Sequence, residues 1–170
     1  SEPIKGKTWL QKELFLISKI DNSLSKELDF KPHHYGPHSY NAQYDLEDLE
    51  TEGLIIVIDG EIHLTDEGYH LFDEIKKTFN EDILNLTSET KKFLNDLSMN
   101  ELLSYIYQNN KDMTIESVVV NRLKKNLIEY AVNLYKKKKI SLSSAAKISD
   151  LSVEQFVEKL KQKNIKIELR

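Results

Sequence analysis

The chain has 170 residues, of which 39% are hydrophobic and 31% are charged, and its formal net charge is −4. This composition is typical of a globular protein with one large or two small domains. No apolar run approaches the ~20 residues of a membrane-spanning helix, and the absence of cysteine excludes disulfides and thiolate metal sites. We expect a cytoplasmic protein that does not bind membranes and carries no cofactor.

The charge is distributed unevenly along the chain. Residues 1–85 hold 8 Lys or Arg and 18 Asp or Glu, whereas residues 86–170 hold 16 and 10. Such a split indicates two modules with different partners. The alternative is that the two halves simply attract each other, within one chain or across a dimer.

The sequence pattern of the first half predicts three helices and a hairpin. Apolar residues at helical spacing predict a helix over Lys7–Ile20, and Ser39 caps a second helix over Tyr40–Glu52, with Tyr40, Tyr44, Leu46 and Leu49 as its apolar stripe. Asp59-Gly60 between two strand-like runs is a strong signal for a two-residue turn. A third helix follows Thr65, and we expect its buried face to consist of Tyr69, Phe72, Ile75, Phe79 and Ile83. This is the element order of a winged helix.

The second half predicts further helices. Ser98 and Glu101 have the spacing of a capping box, which opens a helix. A long helix over Thr114–Lys138 is expected next, with Val118, Val119, Leu123, Leu127, Ala131 and Leu134 as its apolar stripe. We interpret it as a dimer or interdomain spine.

The tail, residues 129–170, has the layout of a helix-turn-helix. Ser141 caps a first helix that ends near Ile148, and Ser149-Asp150-Leu151 forms the turn. Ser152 and Gln155 have capping-box spacing at the start of the next helix, which buries Phe156, Val157 and Leu160. We therefore predict a mostly α protein with a small β-hairpin. Its parts are a winged-helix domain (1–85), a connecting helical segment (86–128) and a helix-turn-helix domain (129–170).

Two resemblances agree with this division. The stretches LQKELFLIS, HHYGPHSYNAQYDLEDLETEGLI, LTDEGYHLF and ELLSYIY, within about Lys7–Tyr107, resemble a prokaryotic winged-helix family of archaeal and phage-associated proteins. The tail from Glu129 to Ile167 is similar to a small family of antitoxin-like helix-turn-helix proteins, through Ser141-Leu142, Ala145-Ala146, Leu151-Ser152 and Phe156. Neither resemblance implies an enzyme activity.

The helix-turn-helix suggests contacts with double-stranded DNA, because the second helix of such a unit enters the major groove. Gln155 suits adenine, Lys159 suits guanine or a phosphate, and the other lysines suit phosphates. The predicted DNA-binding residues are Lys136, Lys137, Lys138, Lys139, Ser143, Lys147, Ser152, Gln155, Lys159 and Lys163. Glu154 and Glu158 on the same face oppose this interpretation. The tail could instead pack on another protein or serve as a structural cap, and the lysine run could simply complement a helix dipole.

The winged helix does not suit DNA. Its groove-reading helix carries five carboxylates and no lysine or arginine, and the hairpin tip Asp59-Gly60-Glu61 is acidic as well. We expect this module to bind a protein partner, to dimerise, or only to present a solvated acidic face. The function that we favour is a DNA-binding transcription regulator that forms a homodimer. The alternative is an antitoxin-like or adaptor module that binds protein and makes no direct DNA contact.

Metal binding and catalysis find little support in the sequence. The loop with His33, His34 and His38 has three histidines near Asp45, but their spacing is not diagnostic of zinc or nickel. We interpret it as a structural loop and predict no metal site. No nucleophile, base and oxyanion combination and no glycine-rich phosphate loop is present, so we predict that the protein is not an enzyme.

Overall fold

The structure is a computed structural model, and it describes residues 2–167. It is mostly α-helical with one two-stranded antiparallel hairpin, as predicted. The helices are α1 (Lys7–Ser18), α2 (Asn22–Leu28), α3 (Tyr40–Thr51), α4 (Asp66–Ile75), α5 (Glu81–Asn95), α6 (Met99–Asn109), α7 (Val120–Lys124), α8 (Leu127–Lys136), α9 (Leu142–Ile148) and α10 (Val153–Gln162). The strands are β1 (Ile55–Ile58) and β2 (Glu61–Leu64).

The chain forms two compact units. Within the described residues, the first contains 2–31 and 37–96, and the second contains 32–36 and 97–167. Lys31 and His38 pair as an antiparallel bridge on either side of the 32–36 excursion, with both backbone hydrogen bonds at 2.9 Å. The predicted division into 1–85, 86–128 and 129–170 stays a prediction, although its limits lie inside α5 and α8.

The hairpin organises the first unit. Ile55 pairs with Leu64 and Ile58 with Glu61, and the turn residues Asp59 and Gly60 both have positive φ, as a type I′ turn requires. Ile4 adds a bridge to Ile62 on the other side of β2. Leu46, Ile55 and Ile62 form the small core beneath the hairpin.

Polar side chains of α1 fix the segment that leads into α3. The Gln11 side chain accepts a hydrogen bond from Ser39 N at 2.8 Å and donates one to Ser39 O at 3.0 Å. Lys12 donates from Nζ to Pro37 O at 2.8 Å, and Ser39 Oγ accepts from Ala42 N to cap α3. These buried bonds hold Ser39 at the position where its Oγ caps α3.

Several predictions for the first unit are wrong in detail. Helix α1 ends at Ser18, and Ile20, placed on its apolar face, is 68% exposed. Helix α2 was not predicted, although Asp21 caps it by accepting from Ser23 N and Leu24 N. In α3, Leu46 is the one buried residue of the four predicted, since Tyr40, Tyr44 and Leu49 are exposed.

The helix after Thr65 is also shorter than expected. It ends at Ile75, a 3₁₀ turn follows, and Asn80 starts α5 by accepting from Asp82 N. Its predicted buried face is largely exposed: Tyr69, Phe72, Ile75 and Phe79 are between 38% and 51% accessible. Hydrophobic spacing identified the amphipathic face but not whether anything in this chain covers it.

The predicted long helix over Thr114–Lys138 is wrong. A 3₁₀ turn ends at Thr114, α7 covers Val120–Lys124, and α8 starts only at Leu127. The run Val118-Val119-Val120 is β-branched, which lowers helix propensity. Val118 is 65% exposed, while Leu123, Ala131 and Leu134 are buried. The interpretation of this stretch as a spine therefore loses its basis.

Across residues 2–167, no helix combines the length and the apolar character that a membrane span needs.

Candidate nucleic-acid interface

Helices α8, α9 and α10 form the predicted helix-turn-helix. Ser141 caps α9 by accepting from Ser144 N at 3.1 Å. Ser152 accepts from Gln155 N at 3.2 Å, and Gln155 Oε1 accepts from Ser152 N at 2.9 Å, so the capping box at the start of α10 is complete. The local signals in the sequence therefore located both helix starts correctly.

Each of these three helices ends in the same hydrogen-bonded motif. After α9, Leu151 N donates to Ala146 O and Asp150 N donates to Lys147 O, which is a Schellman motif. The same pair of hydrogen bonds ends α8 and α10, where Lys138 and Asn164 occupy the position that Asp150 has after α9. Their φ angles are 58°, 58° and 55° for Lys138, Asp150 and Asn164, in the left-handed region that glycine usually occupies.

The core of the unit is apolar and closely packed. Phe156 and Leu160 of α10 are fully buried, and the Phe156 ring meets Tyr135 of α8 edge-on at 6.3 Å. Ala145 and Ala146 of α9 are buried too, and their small side chains allow α10 to approach closely. Val157, predicted to be buried with them, is half-buried, whereas Glu154, Gln155 and Glu158 are exposed.

The outward face of α10 carries the predicted groove-reading residues. Gln155 is exposed and Lys159 is half-buried, with its Nζ 3.3 Å from Gln162 Oε1. Bidentate contact with adenine needs both amide atoms of Gln155, but its Oε1 is engaged in the cap. The exposed carboxylates of Glu154 and Glu158 lie on this helix as well. The face therefore carries both positive and negative charges. The side chains expected to contact bases, Gln155 and Lys159, already form hydrogen bonds to neighbouring residues of the chain.

The predicted phosphate-binding lysines differ in their environments. Lys136 and Lys163 are exposed. Lys137 Nζ lies 2.7 Å from Glu101 Oε2, and Lys147 Nζ donates to Asn109 Oδ1 at 3.1 Å. Lys138 occupies the left-handed position after α8, and Ser143 Oγ lies 3.0 Å from Ser141 Oγ. The sequence did not show that Lys137 has a carboxylate partner, because that contact joins residues 36 apart.

The acidic surface of the first unit is present as predicted. Asp45, Glu47, Asp48, Glu50 and Glu52 are all exposed on or directly after α3. The hairpin tip places Asp59 in solvent next to Glu61. Such a surface repels a phosphate backbone.

The histidine loop shows ring packing. His33 and His34 stack with ring centroids 4.5 Å apart, and His34 O accepts from Val118 N at 3.1 Å. His38 meets the Tyr40 ring edge-on at 4.8 Å. Among residues 2–167, no group of three His, Asp or Glu side chains is arranged to hold a metal ion.

The helix-turn-helix and the segment before it lie in the part of the chain that has a family match. Residues 114–170 match the model of an uncharacterised protein family (UPF0175). No curated protein matches the chain. The family match includes α7 to α10 and covers about one third of the sequence. The resemblance of the N-terminal half to a winged-helix family stays a prediction.

Proposed function

We propose that the protein is a DNA-binding regulator that contacts duplex DNA through its C-terminal helix-turn-helix. The observation that carries the proposal is the geometry of α9, the turn and α10. A complete capping box fixes the N-terminus of α10, where such helices reach base edges, and Ser152 and Gln155 are exposed there. The Gln155 Oε1 holds the cap, so this side chain would contact a base through its amide nitrogen alone. The similarity of the tail to antitoxin-like helix-turn-helix proteins supports the same function.

Charge supports a division of labour between the two units. The exposed Lys136, Lys147 and Lys163 of the second unit would hold phosphates, whereas the acidic α3 would stay away from them. We assign to the first unit a protein partner or a second copy of the chain. A homodimer fits this function, because two-fold symmetric regulators bind two half-sites of one operator.

Fluorescence anisotropy with mixed duplex DNA across a salt series tests the proposal. Binding should weaken steeply with salt, because phosphate contacts release counterions. Lys136→Glu and Lys159→Glu should each weaken it and lower the salt slope by about one. Lys26→Glu on α2 is the matched control, since it makes the same charge change on an exposed lysine of the first unit.

Point variants serve better than a truncation here. Removing the tail would also remove the ion pair between Lys137 and Glu101 and could destabilise the second unit. A loss of DNA binding would then not show which residues contact DNA. Absence of binding at low salt, or equal effects of Lys26→Glu and Lys159→Glu, would favour the alternative function of a protein-interaction module. Light scattering on the same samples gives the mass of the assembly and tests the homodimer.

A further inference from the structure

The second unit contains a large cavity that shares only Lys163 with the proposed DNA-binding residues. Its volume is about 800 Å³, within the range of pockets that hold small organic ligands. It lies among α6, α7, α8 and the residues that follow α9 and α10, and every lining residue belongs to this unit. Tyr107, Val120, Leu123, Leu127 and Ile128 give it an apolar wall.

Four lysines make the cavity basic. Lys111, Lys124, Lys125 and Lys163 line it together with two carboxylates, Glu129 and Asp150. Among the described residues, none of these four lysine side chains forms an ion pair or a side-chain hydrogen bond. The lysines outnumber the carboxylates, so the cavity attracts anions.

The N-terminus of α8 opens into the same cavity. The first N–H groups of any helix lack acceptors within it, and here the side chain of Asn126 supplies none. Leu127, Ile128 and Glu129, the first three residues of this ten-residue helix, all line the cavity. Such a helix end binds phosphate oxygens through its N–H groups and its dipole, and Lys124 and Lys125 directly precede it.

A buried hydroxyl provides an independent sign of a ligand. Ser104 of α6 is 1% exposed and lines the cavity. Its Oγ is the one buried side-chain N or O atom within residues 2–167 that has no hydrogen-bond partner. A buried hydroxyl normally bonds to protein or to a bound molecule, for example to the carbonyl of the preceding helical turn, which it does not do here.

We propose that this cavity binds a phosphate-bearing small molecule of nucleotide size. The phosphate would lie at the N-terminus of α8 with Lys124 and Lys125. The organic part would lie against Tyr107 and Leu123, and the Ser104 hydroxyl would turn towards the cavity to reach it, because its Oγ is buried. The proposed phosphate contacts, Lys124 and Lys125, are not among the predicted DNA-binding residues, although Lys163 lines the cavity and is one of them.

Isothermal titration of the full chain with ATP, in EDTA to remove metal ions, tests the site. ATP should bind at one site per chain with a dissociation constant below about 1 mM. Adenosine, which lacks the phosphates, should bind at least about tenfold more weakly. The double variant Lys124→Glu, Lys125→Glu should lose about tenfold or more in affinity for ATP, whereas Lys136→Glu, outside the cavity, should stay within about twofold.

Ser104→Ala distinguishes a ligand contact from a structural role. It removes a hydroxyl that supports no protein bond, so thermal stability should not fall, while ATP affinity should drop by about threefold or more. The proposal is overturned by the absence of saturable ATP binding, by equal affinity for adenosine, or by equal effects of Lys136→Glu and the double variant.

A second titration tests whether Lys124 and Lys125 bind the phosphate of a small molecule or a phosphate of DNA. A duplex of about 20 base pairs replaces ATP in the same titration. If the double variant weakens DNA binding more than ATP binding, these lysines serve DNA and the proposal is overturned. If it weakens only ATP binding, the cavity is a small-molecule site, and the result stands whether or not the protein binds DNA.

Discussion

Lys137 forms an ion pair with Glu101, with its Nζ 2.7 Å from Glu101 Oε2. The same carboxylate oxygen accepts from Ser98 N at 2.8 Å and completes the capping box of α6. Burial opposes ionisation of Glu101, but the bonds from Lys137 and Ser98 outweigh it, and the pKa of Glu101 lies below its usual value. Lys137 therefore supports the second unit whether or not it also approaches DNA.

Lys137→Met should destabilise the protein by about 1–2 kcal/mol, because it leaves a buried carboxylate without its cation. Urea denaturation at neutral pH measures the free energy of unfolding. Lys136→Met is the matched control and should change it by less than about 0.5 kcal/mol. The contribution of Glu101 is present above its unfolded pKa and is lost as the pH falls through the lowered folded value, so the two variants should converge in acid.

Glu13→Gln should stabilise the protein at neutral pH. Glu13 is 4% exposed, and burial raises its pKa to about 7, partly offset by Lys91. The folded state then holds a proton that the unfolded state releases, so stability falls as the pH rises from about 4.5 to about 7. Relative to the variant, the wild type should lose about 3 kcal/mol across this window, as measured by denaturation at both pH values. Glu50→Gln on the exposed face of α3 should show no such difference.

Lys12 has the opposite effect on stability above neutral pH. Burial lowers its pKa to about 7, so between about 7 and 10.5 the unfolded state binds the proton that the folded state lacks. Stability should rise with pH across this window, and Lys12→Met should abolish the rise. A wild-type stability that stays flat from pH 5 to 10 would contradict both predictions.

Gly36→Ala should cost more than Gly53→Ala. Both glycines have positive φ, 83° and 73°, so both substitutions carry the same backbone penalty of about 1 kcal/mol. A Cβ on Gly36 would lie 2.6 Å from Tyr107 Cε1, whereas nothing lies within 4 Å of one on Gly53. The difference in unfolding free energy between the variants, expected to exceed about 1 kcal/mol, isolates this contact. Equal costs would show that the Tyr107 ring moves aside freely.

Glycine should stabilise the helix ends of the second unit in a graded way. Lys138→Gly should gain about 0.5–1 kcal/mol, because lysine tolerates the left-handed region less well than glycine. Asn164→Gly should be close to neutral, since asparagine occupies that region readily. Thermal denaturation of the two variants side by side checks the order, and a larger gain at Asn164 would contradict it.

Local chemistry explains which elements could be predicted. The caps at Ser39, Thr65, Ser98, Ser141 and Ser152 depend on residues within three positions, and all five start helices as expected. The errors concern long-range packing: Phe72 lies on an apolar stripe that the described residues leave exposed. Likewise, the partner of Lys137 and the buried state of Glu13 depend on contacts that no periodicity in the sequence reveals. The cavity beside Ser104 was missed for the same reason.

The five-residue excursion at 32–36 affects how the protein reaches its folded state. The second unit is not a continuous stretch of sequence, since it needs Gly36 against Tyr107 and His34 O as the acceptor for Val118 N. On a ribosome, this segment emerges some 60 residues before the helices that it joins. Folding of the second unit must therefore close a long loop. This loop closure slows folding, because a unit made only of local helical contacts would fold faster. An isolated fragment 97–170 would lack this segment and should fold incompletely.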